Sequence, residues 1–270
     1  MEMSLVEKAV ELLLDAEHAV ALTGAGISTE SGVPDFRSPG GIWERYDPSI
    51  FFIERFMADP EEVWRSMLAM HSSGEFPLWD AQPNSGHKAL AYLESAGIIK
   101  VVITQNIDNL HQKAGSRNVI EFHGNMLYAR CIECGRKYGY EEVLSGLEAV
   151  FPPRCTCGGV LKPDAVFFGE TIPQDALRRS FREAEECDLM LVIGTSAQVE
   201  PAASLPLIAK GSGSFFTGLR GISPLKERCS VLEINRTATP LTRRVSDFLI
   251  QGSAGEILSL IEEEIRRRTE

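Results

Sequence analysis

A chain of 270 residues, 44% of them hydrophobic, is long enough to bury one full-sized core and to carry a smaller unit beside it. No run approaches the roughly 20 apolar residues of a membrane span. The opening MEMSLVEKAVELLLDAE carries acids where a secretory signal needs a basic start, so a cytoplasmic protein without membrane attachment is expected. With 27 basic against 38 acidic residues the formal charge is −11, which disfavours direct nucleic-acid binding and favours basic partners such as lysine-rich peptides.

Apolar residues at helical spacing (Val6, Ala9, Val10, Leu13) predict a helix over 4–16. The run 18–23 predicts a buried strand that ends at the turn Gly24-Ala25-Gly26. Residues 34–80, rich in aromatics and prolines, read as a loop followed by short helices. Helical spacing returns over 84–96, and strands are predicted at 98–103, near 118–120, and at 188–193, 230–234 and 248–250. Helix-like segments separate these strands, including 109–114 and one near 202–210. Short, nearly continuous apolar strands alternating with helices predict an α/β fold, a Rossmann-like parallel sheet covered on both faces. The stretches 34–80 and about 125–163 interrupt the alternation and read as insertions. Residues 211–226, glycine- and serine-rich, read as a surface loop.

Ligands of such sheets bind at the carboxyl ends of the strands. Gly24 to Ser28, Gln105 to Asp108, Gly194 to Ser196 and Asn235 each follow a predicted strand, so four motifs are expected to meet in one crevice. The glycine turn lets backbone amides approach a pyrophosphate, because glycine lacks the Cβ that would stand in the way. Thr29 occupies the third glycine position of G-x-G-x-x-G, which weakens a dehydrogenase reading. His123, in EFHG after a short strand, is the candidate proton acceptor near neutral pH. Asn106 and Gln105 supply amides and Asp108 a carboxylate suited to ribose hydroxyls and a carboxamide, and Asp108 also suits the N-cap of the helix 109–114. Cys131-x2-Cys134 and Cys155-x-Cys157, separated by residues 135–154, read as a closed four-thiolate structural zinc site. Cys187 and Cys229 read as small buried hydrophobes.

These segments together resemble the sirtuin family nearly end to end: GAGISTESGVPDFRS at 24–38, GIWERYDP at 41–48, TQNIDNLH at 104–111, EFHG at 121–124, the cysteine pairs, KPDAVFFGE at 162–170, GTSAQVEPAA at 194–203 and EINRTATPLT at 233–242. The resemblance implies a Rossmann-like NAD-binding domain (1–33, 81–124 and 164–270), a cofactor loop with the helical part of a small domain (34–80), a zinc-binding module (125–163) and an extra loop at 211–226. It places Gly24, Ala25, Gly26, Ser28, Asp35, Phe36 and Arg37 around the nicotinamide end and phosphates of NAD, and Gln105, Asn106 and Asp108 on its ribose and carboxamide. Gly194, Thr195, Ser196, Asn235 and Ser253 fall on the phosphate and adenosine side. Val166, Phe168, Gly169 and Glu170 are the implied strip that pairs with a substrate peptide, flanked by Gln198, Val199 and Glu200.

The implied activity is NAD-dependent removal of an acyl group from protein lysine, with NAD consumed as co-substrate. His123 is the implied base that takes a ribose hydroxyl proton, Asn106 acts beside it, and the products are free lysine, nicotinamide and O-acyl-ADP-ribose. Partners are acyl-lysine-bearing proteins or peptides. A mono-ADP-ribosyltransferase and a non-catalytic NAD- or acyl-lysine-binding module are the alternatives, and His123 together with Asn106 and Asp108 favours deacylation. Two features depart from the family pattern: the shorter Cys155-x-Cys157 pair, and the loop 211–226, expected opposite the cleft. One family branch carries a tyrosine and an arginine that receive acidic acyl groups. Alignment of Asp59 to Trp64 puts Met67 and Met70 there, one helical face apart by three residues. Both could line the acyl channel, although a core position is the commoner fate of such a pair; in either case no guanidinium stands there, which predicts deacetylation, with longer apolar chains tolerated and succinyl disfavoured.

Overall fold

The computed structural model describes residues 4–147, 150–211 and 229–269. Among the described residues the strands are β1 (Ala19–Thr23), β2 (Ile99–Thr104), β3 (Val119–Glu121), β4 (Gly124–Cys131), β5 (Lys137–Gly139), β6 (Leu161–Ala165), β7 (Leu189–Ile193), β8 (Ser230–Asn235) and β9 (Phe248–Gln251). The α-helices among them are α1 (Leu5–Asp15), α2 (Ile42–Arg45), α3 (Ile53–Ala58), α4 (Pro60–Ser72), α5 (Ser85–Ser95), α6 (Leu110–Ala114), α7 (Tyr140–Gly146), α8 (Gln174–Glu186), α9 (Leu205–Ala209) and α10 (Ala254–Thr269). None among the described residues is long and apolar enough to cross a membrane.

Six strands form a parallel sheet in the order β3-β2-β1-β7-β8-β9. Alternate residues of each strand serve opposite faces. Leu189, Leu191 and Ile193 meet α1, α5 and α10, while Met190 and Val192 meet α8 and α9. Because both faces are covered, the strands are apolar throughout, which is why they read in the sequence as unbroken runs. Ser4 starts α1 with a reciprocal cap: its hydroxyl accepts from Glu7 N at 3.1 Å and its own N–H donates to Glu7 Oε2 at 2.7 Å.

The second sheet is antiparallel, ordered β5-β4-β6, and leaves the first one through His123. Its apolar side and helices α3 and α4 share one core around Phe56, Val63, Trp64, Met67 and Met70. Trp64 is fully enclosed, and its indole N–H donates to Leu161 O at 2.7 Å, fastening α4 to β6. Burying a tryptophan requires such a partner for the ring nitrogen. Of the expected loop 211–226, all but Gly211 lies outside the described residues.

Candidate functional site

At one edge of the parallel sheet every departing chain is tied to its neighbour. Gly24 N donates to Ile193 O (3.0 Å), Gln105 N to Thr23 O (2.9 Å), Phe122 N to Thr104 O (2.9 Å) and Gly194 N to Ile234 O (3.0 Å). The ladder thus runs one residue past the strand ends, and the motifs after β1, β2, β3 and β7 are delivered in register. Strand order reverses between β1 and β7, so the two sets of exits fan apart and a crevice opens. Gly194 sits at φ +59°, and a Cβ there would stand 2.5 Å from Ile27 N. Only glycine permits that crossing of the two turns.

The crevice encloses about 460 Å³ and is lined by Gly24, Ala25, Gly26, Ser28, Asp35, Phe36, Arg37, Gln105, Asn106, Asp108, His123, Gly194, Thr195, Ser196 and Asn235 from the predicted set. Gln105 Nε2 donates to Thr195 Oγ1 (3.0 Å) and Asn235 Nδ2 to Thr195 O (2.8 Å), which joins three strand exits. Asn106 Nδ2 donates to Gly24 O (3.2 Å) and Ser28 Oγ (3.0 Å), leaving its Oδ1 as an acceptor. Ser28 gives its proton to Asp108 Oδ2 at 2.7 Å, and Asp108 Oδ1 accepts from Leu110 N at 2.9 Å. The carboxylate therefore both accepts from the first amide of α6, whose N-cap is Asn109, and anchors the site, and burial pushes its pKa up despite these donors.

Beneath this floor lie two histidines that the sequence reading did not single out. His87 Nε2 meets Ser28 Oγ at 3.4 Å and His111 Nε2 meets Thr23 Oγ1 at 2.9 Å, with the rings edge to face at 4.9 Å. Ser28 also meets Asp108 and Thr23 also meets Thr104, so each imidazole is joined to the floor through a shared hydroxyl. Burial lowers the pKa of both, that of His87 to about 4.

His123 Nδ1 lies 3.0 Å from Gln105 O. A carbonyl can only accept, so the proton resides on Nδ1 and the Nε2 lone pair is left over. Burial lowers the imidazole pKa, with the Gln105 carbonyl opposing, which keeps the ring neutral at physiological pH. Phe122 packs edge to face on it at 5.3 Å. On the side facing the parallel sheet's loops, Val166, Phe168, Gly169 and Glu170 line the same crevice, as do Gln198, Val199 and Glu200. This strip is held at Val166 N by His123 O (2.8 Å), and at Phe168 by Phe51 O (2.8 Å) and Ile53 N (3.0 Å).

Three predicted residues stand elsewhere. Met67 and Met70, 4% and 1% exposed, are buried in the core between α4 and the second sheet and do not line the crevice. Helical spacing puts them on one face, but that face is covered by protein. Ser253 also lies off the crevice lining, and its hydroxyl accepts from Glu256 N at 3.4 Å at the head of α10. Conversely, Thr237 to Pro240 line the crevice unforeseen. The fully buried Glu233 holds that loop by accepting from the hydroxyls of Thr239 and Thr242. Their position directly after β8 was the available signal.

The four cysteines of the second sheet come together on two hairpin tips. The Sγ atoms of Cys131 and Cys157, and of Cys134 and Cys155, lie 3.5 Å apart, and all four fall within 4.8 Å of one another. Tetrahedral zinc with bonds of about 2.3 Å needs sulfurs about 3.8 Å apart, so the donor set fits that ion. Cys134 N and Cys157 N each donate to a sulfur at 3.5 Å, and Tyr138 Oη donates to Cys155 Sγ at 3.0 Å. The Cys157 amide and the Tyr138 hydroxyl lower the Cys155 pKa to about 6, which favours the ligating thiolate. The shorter Cys155-x-Cys157 spacing is accommodated by a tight turn in which Gly158, at φ +91°, returns its N–H to Cys155 O at 2.8 Å.

Comparison with known proteins places this geometry in context. The Sir2 family profile matches residues 24–201. An NAD-dependent protein deacylase of Pyrobaculum aerophilum is 44% identical over 260 residues, covering 96% of this chain and 95% of its own. An NAD-dependent protein deacetylase of Thermotoga maritima is 44% identical over 240 residues, covering 88% and 96%. Among solved structures, a Sir2 protein with a p53 peptide and NAD+ superposes with TM-score 0.82 at 39% identity, covering 97% of this chain and 98% of that one. A Sir2 protein bound to an acetylated peptide gives 0.81 at 38% identity, with the same coverage.

Two outcomes follow from the site's chemistry. Purified protein is expected to carry one zinc per chain, and Cys131→Ala to lower both metal content and thermal stability, since a structural site contributes its binding energy to folding. Protein that is folded and stable without stoichiometric metal would contradict this. His87 also makes stability pH-dependent. It takes up a proton near pH 6.5 when unfolded and only near pH 4 when folded, so the unfolded state gains protons first on acidification. Stability should be flat in this respect above pH 6.5. It should then fall towards pH 4 by up to about 1.4 kcal/mol per pH unit. Asp108, with its raised pKa, works in the opposite sense, so the comparison is with His87→Gln, whose urea-unfolding profile should be less steep in that window. Identical profiles for the two proteins would be the wrong result.

Proposed function

The chain belongs to the Sir2 family and is an NAD-dependent protein deacylase; we propose that its crevice takes NAD and an acyl-lysine peptide from opposite sides, with His123 as the base between them. The observation that carries these roles is the His123 ring. Its Nδ1 proton is fixed on Gln105 O, its Nε2 is unprotonated, and it stands where the polar floor meets the strip 165–170.

NAD supplies a ribose carbon that becomes electrophilic as nicotinamide departs, and a neighbouring hydroxyl that receives the acyl group. The chain's own residues do the rest. The turns at Gly24 to Gly26 and Gly194 to Ser196 offer backbone amides to the phosphates. Asp35 is locked in a turn by accepting from Arg37 N (3.0 Å) and Ser38 N (2.8 Å), which orients Phe36 and Arg37 toward the nicotinamide and phosphate end. Gln105, Asn106 and Asp108 hold the ribose and carboxamide, and Asn235 the adenosine side. His123 Nε2 takes the proton of a ribose hydroxyl, so that its oxygen can capture the acyl carbon. Desolvation keeps the ring neutral and ready for that transfer.

A peptide entering between the strip Val166 to Glu170 and Gln198 to Glu200 is read as an added strand. Phe168 and Phe52, 40% and 39% exposed with ring centroids 5.3 Å apart, form an apolar lip at its entrance. The acyl chain would lie among Phe36, Ile107, Met126, Val166 and Phe167, which line the same space. Among the described lining residues Arg37 is the sole cation, and it is assigned to NAD. Arg65 is exposed and paired with Glu61 at 2.6 Å. Acetyl and longer apolar acyl groups therefore suit the channel, and a succinyl carboxylate would be desolvated without a partner. The net charge of −11 supports basic protein partners, and four ligating thiolates support a reducing compartment such as the cytoplasm.

With acetylated peptide and NAD, mass spectrometry should show deacetylated peptide, nicotinamide and O-acetyl-ADP-ribose in equal amounts. His123→Ala should reduce turnover by about 10² to 10⁴ while leaving NAD binding measurable. In the parent enzyme the acid limb of kcat should lie below pH 6.5, because the base is lost only when pH falls through the depressed histidine pKa. Near-normal turnover by His123→Ala, or an acid limb above pH 6.5, would reject the assignment.

A further inference from the structure

Lysines rarely leave solvent unless paired, and among the described residues Lys162 alone of the lysines is buried, at 8% exposure. Its ammonium is fully used. Nζ donates to Pro163 O at 2.9 Å and Ala165 O at 2.6 Å, pairs with Glu170 Oε2 at 3.0 Å, and lies 4.2 Å from the centre of the Phe167 ring. Glu170 Oε2 in turn accepts from Phe167 N at 2.7 Å. One cation and one carboxylate thus gather both ends and the middle of the segment 163–170 from behind.

The front of that segment is the strip that lines the crevice. Its outer ties are the bonds of Val166 to His123 and of Phe168 to Phe51 and Ile53. They fix Val166 and Phe168, and Glu170 N closes a turn onto Phe167 O at 3.0 Å. The Ala165 carbonyl and the Phe167 amide are held by Lys162 and by the Glu170 carboxylate that pairs with it. Lys162 is not among the residues that line the crevice.

We propose that Lys162 is a positioning residue for the acyl-peptide substrate: through Ala165 O and Glu170 it holds the strip 165–170 in the conformation that pairs with the peptide backbone, without itself touching peptide or NAD. The inference rests on reading that strip as the peptide-binding edge. A strip that drifts costs the peptide its register with the edge and spares the NAD pocket, which is built on the other sheet.

Steady-state kinetics of Lys162→Met, Lys162→Arg and the double variant Lys162→Met/Glu170→Gln test this, with zinc content measured on each. The double variant removes both charges, so it does not leave an unpaired buried carboxylate to unfold the chain. Gly169→Ala serves as the control for the strip, because Gly169 lies at φ +89° and a side chain there must move the backbone. Loss of several hydrogen bonds to a charged group should raise peptide KM about tenfold in Lys162→Met and in the double variant. NAD KM and zinc content should stay near parent values, kcat at saturating peptide should change little, and Lys162→Arg should recover most of the loss. An unchanged peptide KM in the folded double variant, with a raised KM in Gly169→Ala, overturns the role of Lys162 and keeps the strip. If Gly169→Ala also leaves peptide KM unchanged, the strip reading itself fails. Equal increases in NAD and peptide KM, or loss of zinc, overturn the proposal in favour of a general structural role.

Discussion

Two backbone turns cross at closest approach where the sheet changes direction, and the site depends on that crossing. Gly26 N donates to Gly194 O at 2.7 Å, and a Cβ on Gly26 would lie 2.7 Å from Gly194 Cα. A Cβ on Gly24 would lie 2.7 Å from the Thr195 side chain. With the exits of β1 and β7 locked together this tightly, the exits of β2 and β3 are thrown to one side and that of β8 to the other. The crevice between them is a consequence of strand order, not of any one loop. Thr195, fixed by the crossing, is then the post to which Gln105 and Asn235 reach from both sides.

The polar floor is a connected set of buried hydrogen bonds among Thr23, Thr104, Ser28, Asn106, Asp108, His87 and His111. Thr23 meets Thr104 and His111 Nε2, and Ser28 meets Asp108 and His87 Nε2. Asn106 spends its amide protons downward and so presents an acceptor upward. Such a network is rigid when satisfied and costly when broken, since each lost partner strands a buried polar atom. That rigidity lets His123, whose Nδ1 meets Gln105 O, keep one tautomer. The ring proposed as the base is set by a backbone carbonyl whose own position is set by the Gln105 N to Thr23 O bond.

Most of this was legible in the sequence for identifiable reasons. Strands buried on both faces appear as apolar runs, and the glycines mark where their chains leave, so β1, β2, β7 and β8 and the motifs behind them could be placed within a residue or two. The cysteine pairs could be matched to a tetrahedral donor set because the ligand type constrains the geometry more than the spacing does. For Met67 and Met70 the sequence left a channel and a core position both open, and the structure has them in the core. Helical periodicity states which residues share a face, but not whether that face meets a ligand channel or, as here, the apolar side of a second sheet. Ser253 misled for a related reason, since a residue after a strand can serve the next helix instead of the crevice. His87 was silent because its partner Ser28 lies far along the chain, and Lys162 because it acts mainly through backbone carbonyls; neither leaves a pattern in residue types.

In the proposed arrangement the strand exits and the strip from the second sheet form one site for two substrates, with His123 Nε2 between them. A crystal structure of the zinc-loaded protein with an unreactive NAD analogue and an acetyl-lysine peptide tests it most directly. The account predicts the pyrophosphate on the Gly24 and Gly194 turns, the peptide paired with residues 166–170, and a ribose hydroxyl within hydrogen-bond reach of His123 Nε2. An analogue bound away from those turns, or a His123 ring whose Nε2 faces neither ligand, would contradict it.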